Sequence, residues 1–269
     1  MNLSNNYILE NTDCLEYMKT LPDNSIDMIL QDPPYNTTAC KFEWDIMTKI
    51  DEFWSEWNRI IKSNGAIVMF GSEPFSSKLR LSNLKMYKYD WIWEKGRASG
   101  FVHAKNKPLK AHENISVFSN GTTVHANQSK NIMTYNPQMT KGEPYKKHQK
   151  QTTSKDNSIL HKPSKVNFDY VNTVNINHGT RYPRSIQYFS FHNVGNYHPT
   201  QKPTDLLEYL IKTYTNENEI IFDGFVGSGS TIIAALNTNR KCIGCELDSE
   251  YYNVAKNRIE NATININQN

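Results

Sequence analysis

Glu219-Ile220-Ile221-Phe222-Asp223-Gly224-Phe225-Val226-Gly227-Ser228-Gly229-Ser230-Thr231-Ile232-Ile233-Ala234-Ala235-Leu236 is the stretch that decides the fold. Its first five residues are a short apolar, β-branched run of the kind found in buried strands. Ser230 to Leu236 reads as a helix, and three glycines lie between the two. Strand, glycine turn and helix make the context that a bare glycine pattern lacks for binding a nucleoside-bearing ligand. Glycine permits positive φ and lets the backbone come close to such a ligand. A second strand, Lys241-Cys242-Ile243-Gly244-Cys245, ends in Glu246, and an acidic residue there suits a ribose diol. No Gly-Lys-Ser/Thr accompanies the glycines, which argues against a P-loop. No second dinucleotide-binding half follows, which weighs against a nicotinamide dinucleotide.

Near the other end stands Asp32-Pro33-Pro34-Tyr35, directly after the apolar run Ile26-Asp27-Met28-Ile29-Leu30-Gln31. The motif therefore sits just past a strand's C-terminal end, where ligands bind in open α/β sheets. Two prolines remove two backbone donors and fix φ, so the loop is stiff and its carbonyls stay free to accept. An exocyclic amine has two N–H groups, and the Asp32 carboxylate and the Pro33 carbonyl are suited to accept one each. That arrangement holds the nitrogen lone pair toward an electrophile. The Tyr35 ring is suited to stacking on the face of a base. A base in a duplex must be flipped out to reach such a pocket. An ordinary rigid turn is the competing reading of these four residues alone.

With both motifs in view, the chain resembles the β-class amino-methyltransferases of DNA, of the restriction–modification and phage type. The resemblance spans about residues 13–259. It implies a Rossmann-like α/β fold: a mostly parallel sheet with helices on both faces, in circularly permuted order, and an inserted target-recognition region. It also implies S-adenosylmethionine as cofactor and double-stranded DNA as substrate. Asp32, Pro33, Pro34 and Tyr35 take the catalytic positions. Asp13 matches an acidic residue expected near the cofactor adenine. His198-Pro199-Thr200-Gln201-Lys202-Pro203 matches the block that helps bind the methionine part, which assigns Thr200, Gln201 and Lys202 to the cofactor. Asp223, Phe225, Gly227, Ser228, Gly229 and Glu246 complete the cofactor set. Phe70-Gly71-Ser72 and Trp93-Glu94-Lys95 also fit. Related sequences usually carry Pro or Asn after the residue matching Asp223; here Gly224 follows, and added flexibility at the loop entrance is expected. Members acting on cytosine N4 usually carry Ser where Asp32 stands, so adenine N6 is the expected target. Cytosine N4 methylation and a non-catalytic DNA-binding protein that kept the fold are the alternatives. A homodimer and a cognate restriction endonuclease are partners the resemblance leaves open.

Length and composition agree with one large α/β domain and a smaller lobe: 269 residues, 38% hydrophobic, five Trp. No leader pattern or membrane-length apolar run is present, so the expectation is a cytoplasmic or nucleoid protein with no membrane partner. The four cysteines suggest no disulfide framework. Cys242-Ile243-Gly244-Cys245 lies on the expected strand, where Cys packs as a small apolar residue, and no chemistry requires Cys40. No compact metal pattern exists among the eight histidines, so no metal is expected. The net charge of +3 hides an asymmetry: between Gly121 and Pro203 stand eleven basic and three acidic residues, a local +8 that leaves −5 elsewhere. Such asymmetry suits a nucleic-acid face.

Along the chain, residues 1–120 read as the N-terminal part of the catalytic domain. Ile50, Phe53, Trp54, Trp57, Ile60 and Ile61 have helical spacing, while Gly65 to Phe70, Tyr87 to Trp93 and Ile115 to Phe118 read as strands. Residues 121–196 are polar with little periodicity and are expected to be the target-recognition region. Arg181 and Arg184 are its candidate DNA contacts, structural ion pairing being the competing role. Residues 197–262 are the cofactor-binding part, with a helix over 204–214 and a last helix over 248–260. An Asn-rich end over 261–269 is expected to fray, with 263–269 as the tail.

Overall fold

The structure is a computed structural model describing residues 6–35, 46–124, 130–153, 169–190 and 201–266. In chain order its elements are β1 (Tyr7–Asn11), α1 (Cys14–Met18), β2 (Ile26–Gln31), α2 (Ile50–Ile60), β3 (Ile61–Gly71), α3 (Phe75–Ser82), β4 (Tyr87–Ser99) and β5 (Lys110–Phe118). Then come β6 (Thr140–Lys141), β7 (Tyr145–Thr153), β8 (Asp169–Asn177), β9 (Thr180–Arg181) and β10 (Ile186–Phe189). The chain closes with α4 (Thr204–Tyr214), β11 (Ile220–Asp223), α5 (Ser230–Asn237), β12 (Lys241–Glu246) and α6 (Ser249–Ile266).

Eight strands form one sheet in the order β1-β12-β11-β2-β3-β5-β4-β10. The permutation is visible here: β11 and β12, from the end of the chain, lie between β1 and β2 from its start. Strands β1 to β3 of that order run parallel, β5 is antiparallel to both β3 and β4, and β10 is parallel to β4. Strand β2 is buried at every position, as a strand covered on both faces must be. Its alternation divides the core. Met28 and Leu30 join Val68, Phe70, Trp91, Trp93 and Val117 under α4, α5 and α6. Ile29 joins Ile67, Met69, Phe222 and Ile243 under α1, α2 and α3, where Phe53, Trp54, Trp57 and Ile60 present the apolar face of α2. Asp27 is buried and satisfied: Ile220 N–H donates to it at 2.9 Å and Lys62 pairs with it at 2.6 Å.

The chain divides into two compact units, Met1–Asn136 with Arg184–Asn269, and Pro137–Pro183. The second unit carries two antiparallel ribbons, β6 with β9 and β7 with β8, the latter paired over nine residues. Polar side chains along β7 conceal the strand period from a reading of hydrophobicity. The flanks of the 121–196 region belong to the first unit. Asn136 N–H donates to Thr213 O at 2.7 Å, and β10 is the edge strand of the main sheet. The C-terminal end departs from the expected fraying. Helix α6 continues to Ile266, with Ala262 packed on the core and the Thr263 hydroxyl donating to Ile259 O at 2.8 Å.

Candidate active site

Asp32, Pro33, Pro34 and Tyr35 leave the C-terminal end of β2 as irregular chain. The Tyr35 ring stacks on Phe75 of α3 at 5.3 Å. Its hydroxyl donates to Asp32 Oδ1 at 2.5 Å. Burial, reinforced by the charges of Asp32 and Glu113, pushes the Tyr35 hydroxyl well above its usual range, so it stays a donor. The second Asp32 oxygen, Oδ2, pairs with Lys202 Nζ. Lys202 is 7% exposed, lies 5.1 Å from the Phe70 ring centroid and sits 3.5 Å from Glu113 Oε2. Glu113 in turn accepts from Lys95. The chain of groups Asp32–Lys202–Glu113–Lys95 thus alternates in sign across β2, β5 and β4. Burial alone lowers a lysine's pKa, but Asp32 and Glu113 outweigh it and raise that of Lys202. Burial likewise opposes ionisation of Glu113, and Lys202 and Lys95 override it, leaving its carboxyl below the usual value. Lys110 donates to Ser72 Oγ nearby. Each carboxylate oxygen keeps further acceptor capacity, so both holding contacts on Asp32 are compatible with accepting an N–H.

The glycine loop lies along the same sheet edge. Phe225 N–H donates to Asp223 Oδ1 at 2.9 Å, and Val226 N–H to Cys245 O at 3.1 Å. Gly227 and Gly229 take positive φ, 54° and 85°, which an L side chain resists. Glu246, at the end of β12, accepts from Gly227 N–H at 2.8 Å and from Asp248 N–H at 2.9 Å. Burial raises its pKa. Thr12 N–H donates to Glu246 O at 3.2 Å, which brings the next residue, Asp13, to this edge. Asp13 caps α1, its Oδ1 accepting from Leu15 N–H at 2.8 Å and Glu16 N–H at 3.2 Å. Asp223 is 2% exposed, and burial lifts its pKa to about 7 against hydrogen bonds from Thr231 and Phe225.

Sequence reasoning missed several residues here. Arg258 of α6 donates to Ser228 O at 2.9 Å and to Ser230 Oγ at 2.9 Å, tying the loop to the last helix. Glu113 completes the charge chain but stands outside any motif read from the sequence. Gln31 is buried, and neither its Oε1 nor its Nε2 has a hydrogen-bond partner. Gly224 also has a different role from the flexibility expected of it. A Cβ there would lie 2.9 Å from Cys14 Cβ and 3.1 Å from Gln31 Nε2, so the glycine is required by space.

Of the other expected residues, Gln201 is buried, while His198, Pro199, Thr200 and Cys40 lie outside the described residues. Arg181 braces the second unit: its guanidinium donates to Asn177 Oδ1 at 2.5 Å and to Glu143 O, and lies 4.9 Å from the Tyr145 ring centroid. Arg184 is exposed, and its carbonyl accepts from Gln187. Cys242 and Cys245 are both fully buried on opposite faces of β12, in different core layers, which rules out their sharing a ligand. Among the described residues no group of three or more His, Cys, Asp or Glu is placed to hold a metal, and no helix is long and apolar enough to cross a membrane.

A profile described as DNA methylase matches residues 26–257. Type II methyltransferase M.HpaI of Haemophilus parainfluenzae is 29% identical over 264 residues, covering 93% of this chain and 73% of its own length. Type II methyltransferase M.HindIII of Haemophilus influenzae is 30% identical over 221 residues, covering 77% of this chain and 67% of its own. Type II methyltransferase M1.MboII of Moraxella bovis is 28% identical, covering 94% and 96%. Among solved structures, the M1.HpyAVI–SAM complex superposes with a TM-score of 0.62 at 22% identity, covering 94% of this chain and 98% of that one. PvuII DNA methyltransferase, cytosine-N4-specific, gives 0.62 at 17% identity, covering 98% and 96%. At these identities the two structures speak for the fold.

Proposed function

This chain belongs to the DNA methylase family, and we propose that it transfers a methyl group from S-adenosylmethionine to the N6 amine of adenine at a specific site in double-stranded DNA. The observation that carries the reading is the Asp32 carboxylate, held at both oxygens by Tyr35 and Lys202 on the sheet edge that also bears the glycine loop.

The residues present fit the cofactor. The positive-φ glycine loop, the Glu246 carboxylate and the capping Asp13 lie on one edge, and the unpartnered Gln31 amide lies against Gly224 at the loop's entrance. S-adenosylmethionine supplies a methyl group on a positively charged sulfur, open to attack by an amine nitrogen. Asp32 and the Pro33 carbonyl accept the two N–H groups of the flipped adenine, and Tyr35 borders the base. Held so, the nitrogen lone pair is directed at the methyl group, and orientation supplies most of the rate. As positive charge develops on the nitrogen, the Asp32 carboxylate stabilises it; the sulfur would depart with the electron pair of its methyl bond, and the nitrogen would release its proton to water. Lys202 and Tyr35 act on the carboxylate by fixing its position. Thr200, Gln201 and Lys202 serve the cofactor side in this reading, and the basic 121–196 region meets DNA. The type II names of the relatives support a cognate restriction endonuclease as genetic partner.

The test is transfer of labelled methyl to unmethylated genomic DNA, followed by hydrolysis and separation of the nucleosides. The N6-methylated deoxyadenosine, absent with Asp32→Ala, is the expected product. N4-methylcytosine would refute the base assignment, and no transfer despite calorimetric cofactor binding would refute the DNA substrate.

A further inference from the structure

The strand pair β4/β5 carries Lys95 and Glu113 into the site and then runs past the sheet edge as a hairpin. Because β5 is antiparallel to both β3 and β4, the end of β4 points the same way as the end of β2, where Asp32 stands. Residues 99–109 are exposed throughout. At the tip, after Gly100 at φ 93°, a short 3-10 turn holds Phe101–His103. Phe101 is 62% exposed and Val102 93%. The tip is built rather than loose: His103 N–H donates to Gly100 O at 2.9 Å, Ala104 N–H to Phe101 O at 3.1 Å and Asn106 N–H to His103 O at 2.9 Å. Between Gly96 and Ala111 the charged residues are Arg97, Lys105, Lys107 and Lys110, with no acidic residue. Gly100 lies five residue steps beyond Lys95, about 17 Å of extended chain.

We propose that this hairpin is a DNA-contacting wedge. Phe101 and Val102 insert beside the target base pair, and Arg97, Lys105 and Lys107 meet the flanking phosphates. The proposal rests on the DNA methyltransferase reading above and adds the element that opens the duplex. Two adjacent apolar side chains on a rigid tip suit an unstacking wedge, a device known to kink duplexes. A cationic collar without carboxylates suits a polyanion over a second copy of the chain, whose matching surface would have to be acidic. No sequence motif marks this segment; the outward-facing apolar pair is a feature of the fold.

The variant Phe101→Ser/Val102→Ser removes mostly exposed surface from a tip outside both core clusters, so its fold and S-adenosylmethionine affinity stay those of the parent. On a duplex carrying the recurrent methylated motif of the wild type, its methylation rate should fall about tenfold or more. The defect should largely vanish when the target base is mispaired, because unpairing then costs little. Lys105→Ala/Lys107→Ala should flatten the slope of log affinity against log salt by about two. Equal rates for wild type and the serine variant on the paired duplex would overturn the proposal while leaving the enzyme reading intact. So would a fall that mispairing does not rescue, or a shift from dimer to monomer in sedimentation with DNA binding unchanged. If the wild type itself methylates no DNA, the failure belongs to the enzyme reading.

Discussion

Replacing Asp223 with Asn should leave stability in acid nearly unchanged and raise it at neutral and alkaline pH. Asp223 is 2% exposed, and burial, with smaller contributions from Asp32 and Glu246, lifts its pKa from 3.8 to about 7. Below the lower value both folded and unfolded chains hold the proton, and the group contributes nothing. Between the two values the unfolded chain gives the proton up while the folded chain keeps it, so stability falls as pH rises. Each pH unit in that window costs about 1.4 kcal/mol, a ceiling of about 4 kcal/mol that is fully felt above pH 7. Asn does not titrate, and its amide oxygen still accepts from Phe225 N–H. Urea unfolding of both proteins at several pH values isolates the effect, because every other titration is shared. Between about pH 5 and pH 8 the difference should move in the variant's favour by about 3 kcal/mol. A difference independent of pH would show that Asp223 is ionised throughout, and the burial reasoning would fall.

Lys202→Met leaves the partly buried Asp32 and Glu113 without the cation between them, a change that costs up to about 3 kcal/mol and lowers the thermal midpoint by up to about 10 °C. Lys202 holds the Glu113 carboxyl low. Its stabilisation is therefore present above the unfolded carboxylate pKa and lost as pH falls through the folded one, and the gap between parent and variant should narrow in acid; calorimetric scans showing no gap at neutral pH would contradict this. Gly224→Ala drives a methyl group against Cys14 and the buried Gln31, at a cost of about 1–3 kcal/mol in urea unfolding. An alanine variant as stable as the parent would mean that the loop entrance has room to spare.

The parts of the fold that sequence disclosed are those carried by a local period. The strand, glycine loop and helix from Glu219 to Leu236 appear as β11 and α5, and the helix over 204–214 appears as α4. Buried elements advertise themselves because their side chains must be apolar at fixed intervals. Asp-Pro-Pro-Tyr disclosed its position at a strand end for the same reason. Other features depend on contacts between distant residues, which no period encodes. Lys202 meets Asp32 from 170 positions away, and Glu113 matters only because β5 lies beside β4. The need for glycine at 224 comes from Cys14, which occupies the space a side chain there would take. The ribbon of β7 and β8 escaped because β7, apart from Tyr145, has no apolar residue to mark a period. The end of α6 escaped because Ala262 and Thr263 act through packing and a backbone bond rather than through a hydrophobic stripe.

The central claim is that Asp32 directs methylation of adenine N6 in DNA. Single-molecule sequencing of DNA from cells expressing this chain, beside cells expressing Asp32→Ala, tests it most directly. Methyl-adenine at one recurring motif, missing from the Asp32→Ala cells, is the predicted result. Methyl-cytosine at that motif, or methyl-adenine surviving in the Asp32→Ala cells, would contradict it.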